Sequence, residues 1–508
     1  MRYVKEESEV TQARKAGVLM HISSLPGEYG IGDMGKRARQ FADFAKEAGF
    51  AFWQILPLVQ TGLGDSPYQS VYSASGNPLL IDLENLVGRG LLKKSEIAEC
   101  KIVNEGKVAY EQLRTKKMSL LRKAYSRFDK EQAEFKAFCT SEWMEYGIFM
   151  AIRERSGGKP FLQWEKGLRF HEEDAVRTFY EQNAEEVLFW LFIQYIFFQQ
   201  WRALKSYINE LGIKVIGDIP LYVAYDSVDV WANEHLFKLD KCGRLKKVAG
   251  VPPDYFSQTG QLWGNPVYDW KVHEESGYSW WIERMRRAFE LYDVVRIDHF
   301  RGFDRYYEID AKAETAIGGK WKKGPGAKLF EEAKARLGRL PVIAEDLGLL
   351  DEGVYRLMRK TGYPGMKVIQ FAFDGNESNP YLPANIEKNS ICYTGTHDND
   401  TLIGFLENLA EWERESVLCT LKPLFAEQSI RVQMKDDRSI AKGIMDLALS
   451  CKAQVCIIPV QDLLLLGSEA RMNVPGVASG NWVFRLKRGM PVSLAQKIRK
   501  KLQKYCRI

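Results

Sequence analysis

Eight short apolar runs punctuate the chain, each followed by loop-forming residues and several preceded by a stripe of helical period. They are AGVLMHI (16–22), FAFWQILPL (50–58), IKVIGDIPL (213–221), YDVVRIDHF (292–300), LPVIAEDLG (340–348), MKVIQFAF (366–373), NSICYTGTHD (389–398) and AQVCIIPVQD (453–462). The stripes are plain in WWIERMRRAFELY, where Ile282, Met285, Phe289 and Tyr292 share one helix face, and in Phe330, Ala333 and Leu337. Strand-like runs alternating with amphipathic helices are the rhythm of parallel βα units. Eight of them predict an α/β fold of the (β/α)8 TIM-barrel class, although a doubly wound sheet gives a similar pattern.

A bare barrel needs about 250 residues, so much of this 508-residue chain must lie in insertions at the carboxyl face of the strands. The pattern predicts one catalytic domain over 1–508, interrupted twice. Residues 85–182, rich in Lys, Glu, Ala and Arg, read as a mainly helical insertion subdomain. Residues 225–275 read as a loop-rich insertion over the active site, because VAGVPPDYFSQTGQLWGNPVYDW (248–270) is dense in Pro, Gly and aromatics and lacks periodicity.

Composition narrows the class. With 45% hydrophobic and 27% charged residues the chain is globular. Its net charge of +6 is too mild and dispersed for nucleic acid, since no basic run alternates with a stacking platform. Eight cysteines without a CxxC pair point to reduced thiols in a cytoplasmic protein, and no metal framework is visible. MRYVKEESEVTQARKA has no apolar h-region. The most apolar stretch, VLFWLFIQYIFFQQW (187–201), is broken by Gln194, so no membrane span is expected.

The candidate chemistry sits at strand ends. In VVRIDHF (294–300), alternation points Arg296 and Asp298 to one face and Val295, Ile297 and His299 to the other. A buried charge pair is weak evidence for stability, which makes function the first suspect. Asp218, Asp298, Glu345 and Asp398 each follow an apolar run, and in a parallel barrel those ends share one face. Arg296 would keep Asp298 ionised as a nucleophile, while the apolar Pro341–Ala344 run would raise the pKa of Glu345 and keep it protonated as a general acid. That pair is the equipment of retaining glycoside chemistry, and Asp398 would grip sugar hydroxyls in the transition state. Tyr68 and Trp263, in Gly/Pro-bracketed loop segments, are the candidate sugar platforms.

GDSPYQSVYSASGNPLLIDL (64–83), GDIPLYV (217–223), PPDYFSQTGQLWGNPVYDW (252–270), VRIDHFRGF (295–303), IAEDLG (343–348), YTGTHDNDT (393–401) and GSEARMNVPG (467–476) together resemble the 4-α-glucanotransferases of the amylomaltase or disproportionating-enzyme type, glycoside hydrolase family 77. The resemblance runs from about Gly17 to Arg485 in the expected order. It implies Asp298 as the nucleophile of a covalent glycosyl-enzyme, Glu345 as acid/base and Asp398 as transition-state stabiliser. The substrate-binding set it implies is Tyr68, Asp218, Trp263, Arg296, His299, His397, Arg471 and Asn473, with Arg296 supporting the nucleophile. Two positions depart from the family pattern: an aromatic is missing near Ser75, and Leu465 stands where glycine is expected.

Transfer and hydrolysis share the glycosyl-enzyme and differ in whether water or a sugar hydroxyl attacks it. The 248–270 segment, with Tyr255, Phe256 and Trp263, is suited to hold an acceptor and exclude water, but it is chiefly the resemblance that implies a transferase rather than an α-glucan hydrolase, and the intact catalytic positions speak against a non-catalytic glucan-binding protein. Expected partners are malto-oligosaccharides and α-1,4-glucans as donors and glucose or glucan as acceptor, in a monomer or weak homo-oligomer. Exchange of one α-1,4 bond for another of nearly equal energy calls for no cofactor. No phosphate-binding glycine motif stands at a strand–helix junction.

Overall fold

The computed structural model describes residues 14–253, 257–348 and 350–508. Tyr255 and Phe256 lie outside the described residues. Eight strands form the barrel: Lys15–Leu19, Phe52–Gln54, Lys214–Ile219, Val294–Ile297, Val342–Ala344, Gly365–Val368, Ser390–Tyr393 and Val455–Pro459. Each lies parallel to the next in sequence and the eighth closes on the first. Every one of the eight apolar runs contributes a strand, so the barrel prevails over the doubly wound sheet. Helices Ser279–Leu291 and Ala327–Leu337 precede the fourth and fifth strands and bury Ile282, Met285, Phe330 and Ala333 of the expected stripes.

Between the second and third strands the chain is helical, ending in Glu173–Glu210, which loses helical geometry at Asn183. The apolar stretch 187–201 lies in this helix, and its two glutamines explain why it stays in the protein. Gln194 accepts from the Gly76 amide (2.7 Å) and donates to the Gly76 carbonyl (3.1 Å). Gln200 does the same to the amide and carbonyl of Asp82, at 2.7 and 3.1 Å. A buried amide satisfied on both sides costs little and fixes register. Around it, Phe189, Phe192, Ile193 and Phe197 are fully buried, each worth roughly 1.5–3 kcal/mol of transfer free energy. The ring of Phe197 presses on Gly76, where an added Cβ would stand 2.0 Å away, and Ser75 beside it is buried, donating to the Tyr72 carbonyl at 2.9 Å. Small residues at 75 and 76 thus accommodate an aromatic supplied from the helix. Among the described residues, no helix is long and apolar enough to cross a membrane.

The segment 248–270 is more regular than its composition suggests. Lys247–Val251 and Gln261–Pro266 pair antiparallel and join Arg305–Asp310 and Lys320–Lys323 in a four-stranded sheet, with Gln261–Pro266 at one edge and Lys320–Lys323 at the other. Gly250 suggested a loop, yet it marks close backbone approach within a strand: an added Cβ would lie 2.1 Å from the Gln261 carbonyl oxygen. Pro266 closes an edge strand, where a missing amide is tolerated. All four residues of Lys320–Lys323 are exposed.

Leu465 caps the helix Val460–Leu464 in the left-handed conformation, with φ 54°. That region costs a non-glycine residue roughly 1–2 kcal/mol, offset here by partial burial of the side chain against the core. Leu465→Gly is therefore expected to lie within about 1 kcal/mol of the parent in urea unfolding. Leu465→Val, with a β-branch in the left-handed region, should be clearly less stable than the glycine variant.

Candidate active site

The fourth barrel strand ends at Ile297, and the backbone ladder runs one step further: the Asp298 amide donates to Ile219 (3.0 Å) and the Glu345 amide to Ile297 (3.0 Å). This sets Asp298 and Glu345 on adjacent strand ends. Strand alternation no longer governs the next residue. His299 has φ 50° and ψ 48°, a left-handed turn that brings its ring into the same cleft as Asp298, rather than the opposite face that alternation predicts. It meets Trp263 edge-on, with ring centroids 4.8 Å apart. Burial lowers the His299 pKa to about 4, so the ring is neutral, and its Nε2 has no hydrogen-bond partner among the described residues.

Below this rim lies a charged pair of strands. Asp218 and Arg296 are register partners on the third and fourth strands, so their side chains point the same way. Arg296, 3% exposed, reaches Asp218 Oδ2 at 2.6 Å with Nη1 and Asp298 Oδ1 at 2.9 Å with Nη2. Burial opposes its charge, but the two carboxylates hold its pKa well above the ordinary value. The Asp218 carboxyl is raised, chiefly by burial, with Arg296 opposing. Tyr68 Oη donates to Asp218 Oδ2 at 2.8 Å, while its ring stacks on His397 at 5.1 Å. Tyr68→Phe keeps that stacking and deletes one hydrogen bond to a charged acceptor. It is expected to lower kcat/KM about 10- to 100-fold in steady-state assays without loss of fold.

Glu345 is recessed, and its pKa is raised to about 8, first by burial and then by the charge of Asp298. Arg296 and the amides of Leu347 and His299, which donate to Oε1 and Oε2 at 2.7 Å each, pull the other way without cancelling the rise. At neutral pH it therefore keeps its proton.

The fourth carboxylate is braced from a different part of the chain. Asn473 Nδ2 donates to Asp398 Oδ1 at 2.6 Å, and His397 Nε2 stands 3.3 Å from Asp398 Oδ2. Arg471 donates to the Asp398 backbone carbonyl at 2.6 Å and to that of Asn473 at 2.8 Å. The Asp398 side chain remains 42% exposed, available to a ligand.

These groups face a cleft of about 1680 Å³. Tyr68, Trp263, Arg296, Asp298, His299, Glu345, His397, Asp398 and Asn473 all line it. Asp218 and Arg471 are absent from its lining: the first is fully buried beneath Arg296 and Tyr68, the second braces the Asp398 loop. Trp482 belongs to the lining and did not stand out in the sequence; its ring lies 5.6 Å from Tyr68 and 5.8 Å from His397. The signal was there, since Trp482 in ASGNWVF is bracketed by loop residues as Trp263 is. Among the described residues, no group of three or more His, Cys, Asp or Glu side chains is arranged to hold a metal ion.

The cleft can hold a chain of rings against Tyr68 and Trp263, with the buried Trp482 packed against Tyr68, while presenting a paired carboxylate and a proton donor to one bond. Residues 20–491 match the 4-alpha-glucanotransferase family. The chain is 46% identical over 483 residues to a 4-alpha-glucanotransferase of Thermus thermophilus, covering 93% of this chain and 95% of that protein. It is 44% identical over 475 residues to one of Clostridium butyricum, covering 92% and 95%. Its fold superposes on an amylomaltase from Streptococcus agalactiae, solved in complex with acarbose, with a TM-score of 0.92 at 38% identity over 97% of this chain and 99% of that one. A parallel barrel whose strand ends carry this pair of carboxyl groups, matched over nearly its whole length, places the chain in the 4-alpha-glucanotransferase family, glycoside hydrolase family 77.

Proposed function

We propose that this 4-alpha-glucanotransferase moves an α-1,4-glucan segment from a malto-oligosaccharide or a starch- or glycogen-type donor to the 4-hydroxyl of glucose or another glucan, with retention and through a glycosyl-aspartate. The observation that carries this reading is the unlike pair on adjacent strand ends: Asp298 ion-paired to Arg296, and Glu345 holding a proton at neutral pH.

In the first step the Asp298 oxygen not held by Arg296 attacks the anomeric carbon. Glu345 gives its proton to the glycosidic oxygen, the bond to the leaving glucan breaks, and that segment departs with a free 4-hydroxyl. In the second, Glu345 takes the proton of the incoming 4-hydroxyl as its oxygen displaces Asp298. Asp398, steadied by Asn473 and Arg471, bonds ring hydroxyls more tightly as positive charge develops. His299, neutral and with Nε2 unpaired, is a hydrogen-bond partner for a sugar hydroxyl beside Trp263. Asp218 acts through Arg296 and Tyr68 and is a positioning residue. The chain is read as one domain, with 85–182 as a mainly helical insertion and 225–275 as an insertion over the cleft.

Incubation with maltotriose tests the reaction. Glucose with maltopentaose and longer chains, at constant total reducing ends, is the expected result. Rising reducing ends without longer products would overturn transfer in favour of hydrolysis.

A further inference from the structure

Phe371, Trp412, Val474 and Val477 are exposed large hydrophobic residues that line the same cleft as Asp298 and Glu345. Trp412 is the most exposed of the aromatic side chains among them, at 69%, and no ring or cation covers it among the described residues. Trp321, the other exposed tryptophan, is covered by the Arg301 guanidinium 4.1 Å from its ring centroid. An uncovered indole on a cleft wall is an unused binding face.

Its backbone is rigid. Trp412 occupies the first turn of the helix Glu411–Glu427, where the Glu413 carboxylate accepts from the Ala410 amide at 2.9 Å. Arg414, two residues on, donates to the Leu406 carbonyl at 2.9 Å and pairs with Asp437 on the helix Asp437–Ser450. The backbone that carries the indole is thus anchored on the rim, and Glu413 and Ser416 share the lining as polar groups able to meet sugar hydroxyls. The cleft of about 1680 Å³ also exceeds the ~300–1,000 Å³ that encloses a compact ligand. A chain running outward from the reacting bond has room to reach it.

We propose that Trp412 is the platform of a remote subsite, on which a sugar ring of a long α-1,4-glucan stacks several units from the bond being exchanged. This rests on the transferase reading above. Such a site favours long chains over short ones because only a long chain reaches it, and it adds uniform binding, which appears in KM.

The test compares the parent with Trp412→Ala and Trp412→Phe, using maltotriose and long linear amylose, each first as donor with glucose as acceptor and then as acceptor. Trp412→Ala should lower the amylose-to-maltotriose ratio of kcat/KM about 5- to 10-fold through KM, in the donor arm or the acceptor arm according to which end of the chain reaches the rim. Trp412→Phe should restore most of the loss. An unchanged ratio in both arms would overturn the proposal. Retardation of the same proteins in gels containing amylose keeps the two readings apart. Retardation lost in Trp412→Ala supports the subsite even if the parent proved hydrolytic, and equal retardation of parent and variant counts against it.

Discussion

Asp298→Asn is expected to reduce transfer from maltotriose by on the order of 10⁴-fold or more, measured as glucose release, while the thermal unfolding midpoint stays close to the parent's. Asparagine has the shape of aspartate but cannot form a stable glycosyl ester. Arg296 keeps its 2.6 Å contact with Asp218, so the buried cation is not stranded. A pure binding protein would release no glucose in either form, and a residual rate within tenfold of the parent would remove Asp298 from the nucleophile's place. The variant also carries a signed electrostatic consequence. Because the Asp298 charge helps raise the Glu345 pKa, its removal should lower that pKa from about 8, with burial still holding it above the ordinary value.

The parent's kcat/KM should fall about tenfold per pH unit above about pH 8, as Glu345 loses the proton it must donate. Glu345→Gln should abolish that alkaline limb and lower the rate about 10²- to 10⁴-fold. The same group links to stability with a definite sign. Its folded-state pKa of about 8 lies above the ordinary 4.5, so its contribution is full below pH 4.5 and is lost as pH rises to 8. Above pH 8 the folded protein carries a recessed carboxylate at full cost. Glu345→Gln should therefore gain thermal stability relative to the parent progressively between pH 4.5 and 8, the usual trade of stability for activity at a catalytic centre. A flat difference across that range would count against the raised pKa.

The barrel was legible because parallel strands buried on both faces read as continuous apolar runs, and all eight are present. The pairing of Arg296 with Asp298 followed from period-two alternation over a strand that really is a strand. The same rule failed one residue later at His299, where the ladder has ended and a left-handed turn decides direction; no local feature of DHF announces a positive φ. Asp218 reads as one more acid at a strand end, and only the register that sets it beside Arg296 reveals that it is covered. The four-stranded sheet escaped notice because two of its strands lie beyond the fourth barrel strand, and strand pairing across such a separation leaves no local pattern. Gly and Pro in 248–270 pointed to a loop for sound local reasons that tertiary pairing overrode.

The outer strand of that sheet, Lys320–Lys323, has consequences for life in concentrated solution. A bare strand edge is a ready template for another chain, and a molecule that exposed an apolar one would seed aggregates. Here three of the four residues are lysines, so two such edges repel before their backbones can pair. The opposite edge ends on a proline, which has no amide to offer. Like-charge repulsion thus guards this edge at a site the chemistry does not use. That protection weakens as salt shortens the screening length from about 10 Å at 0.1 M to about 3 Å at 1 M.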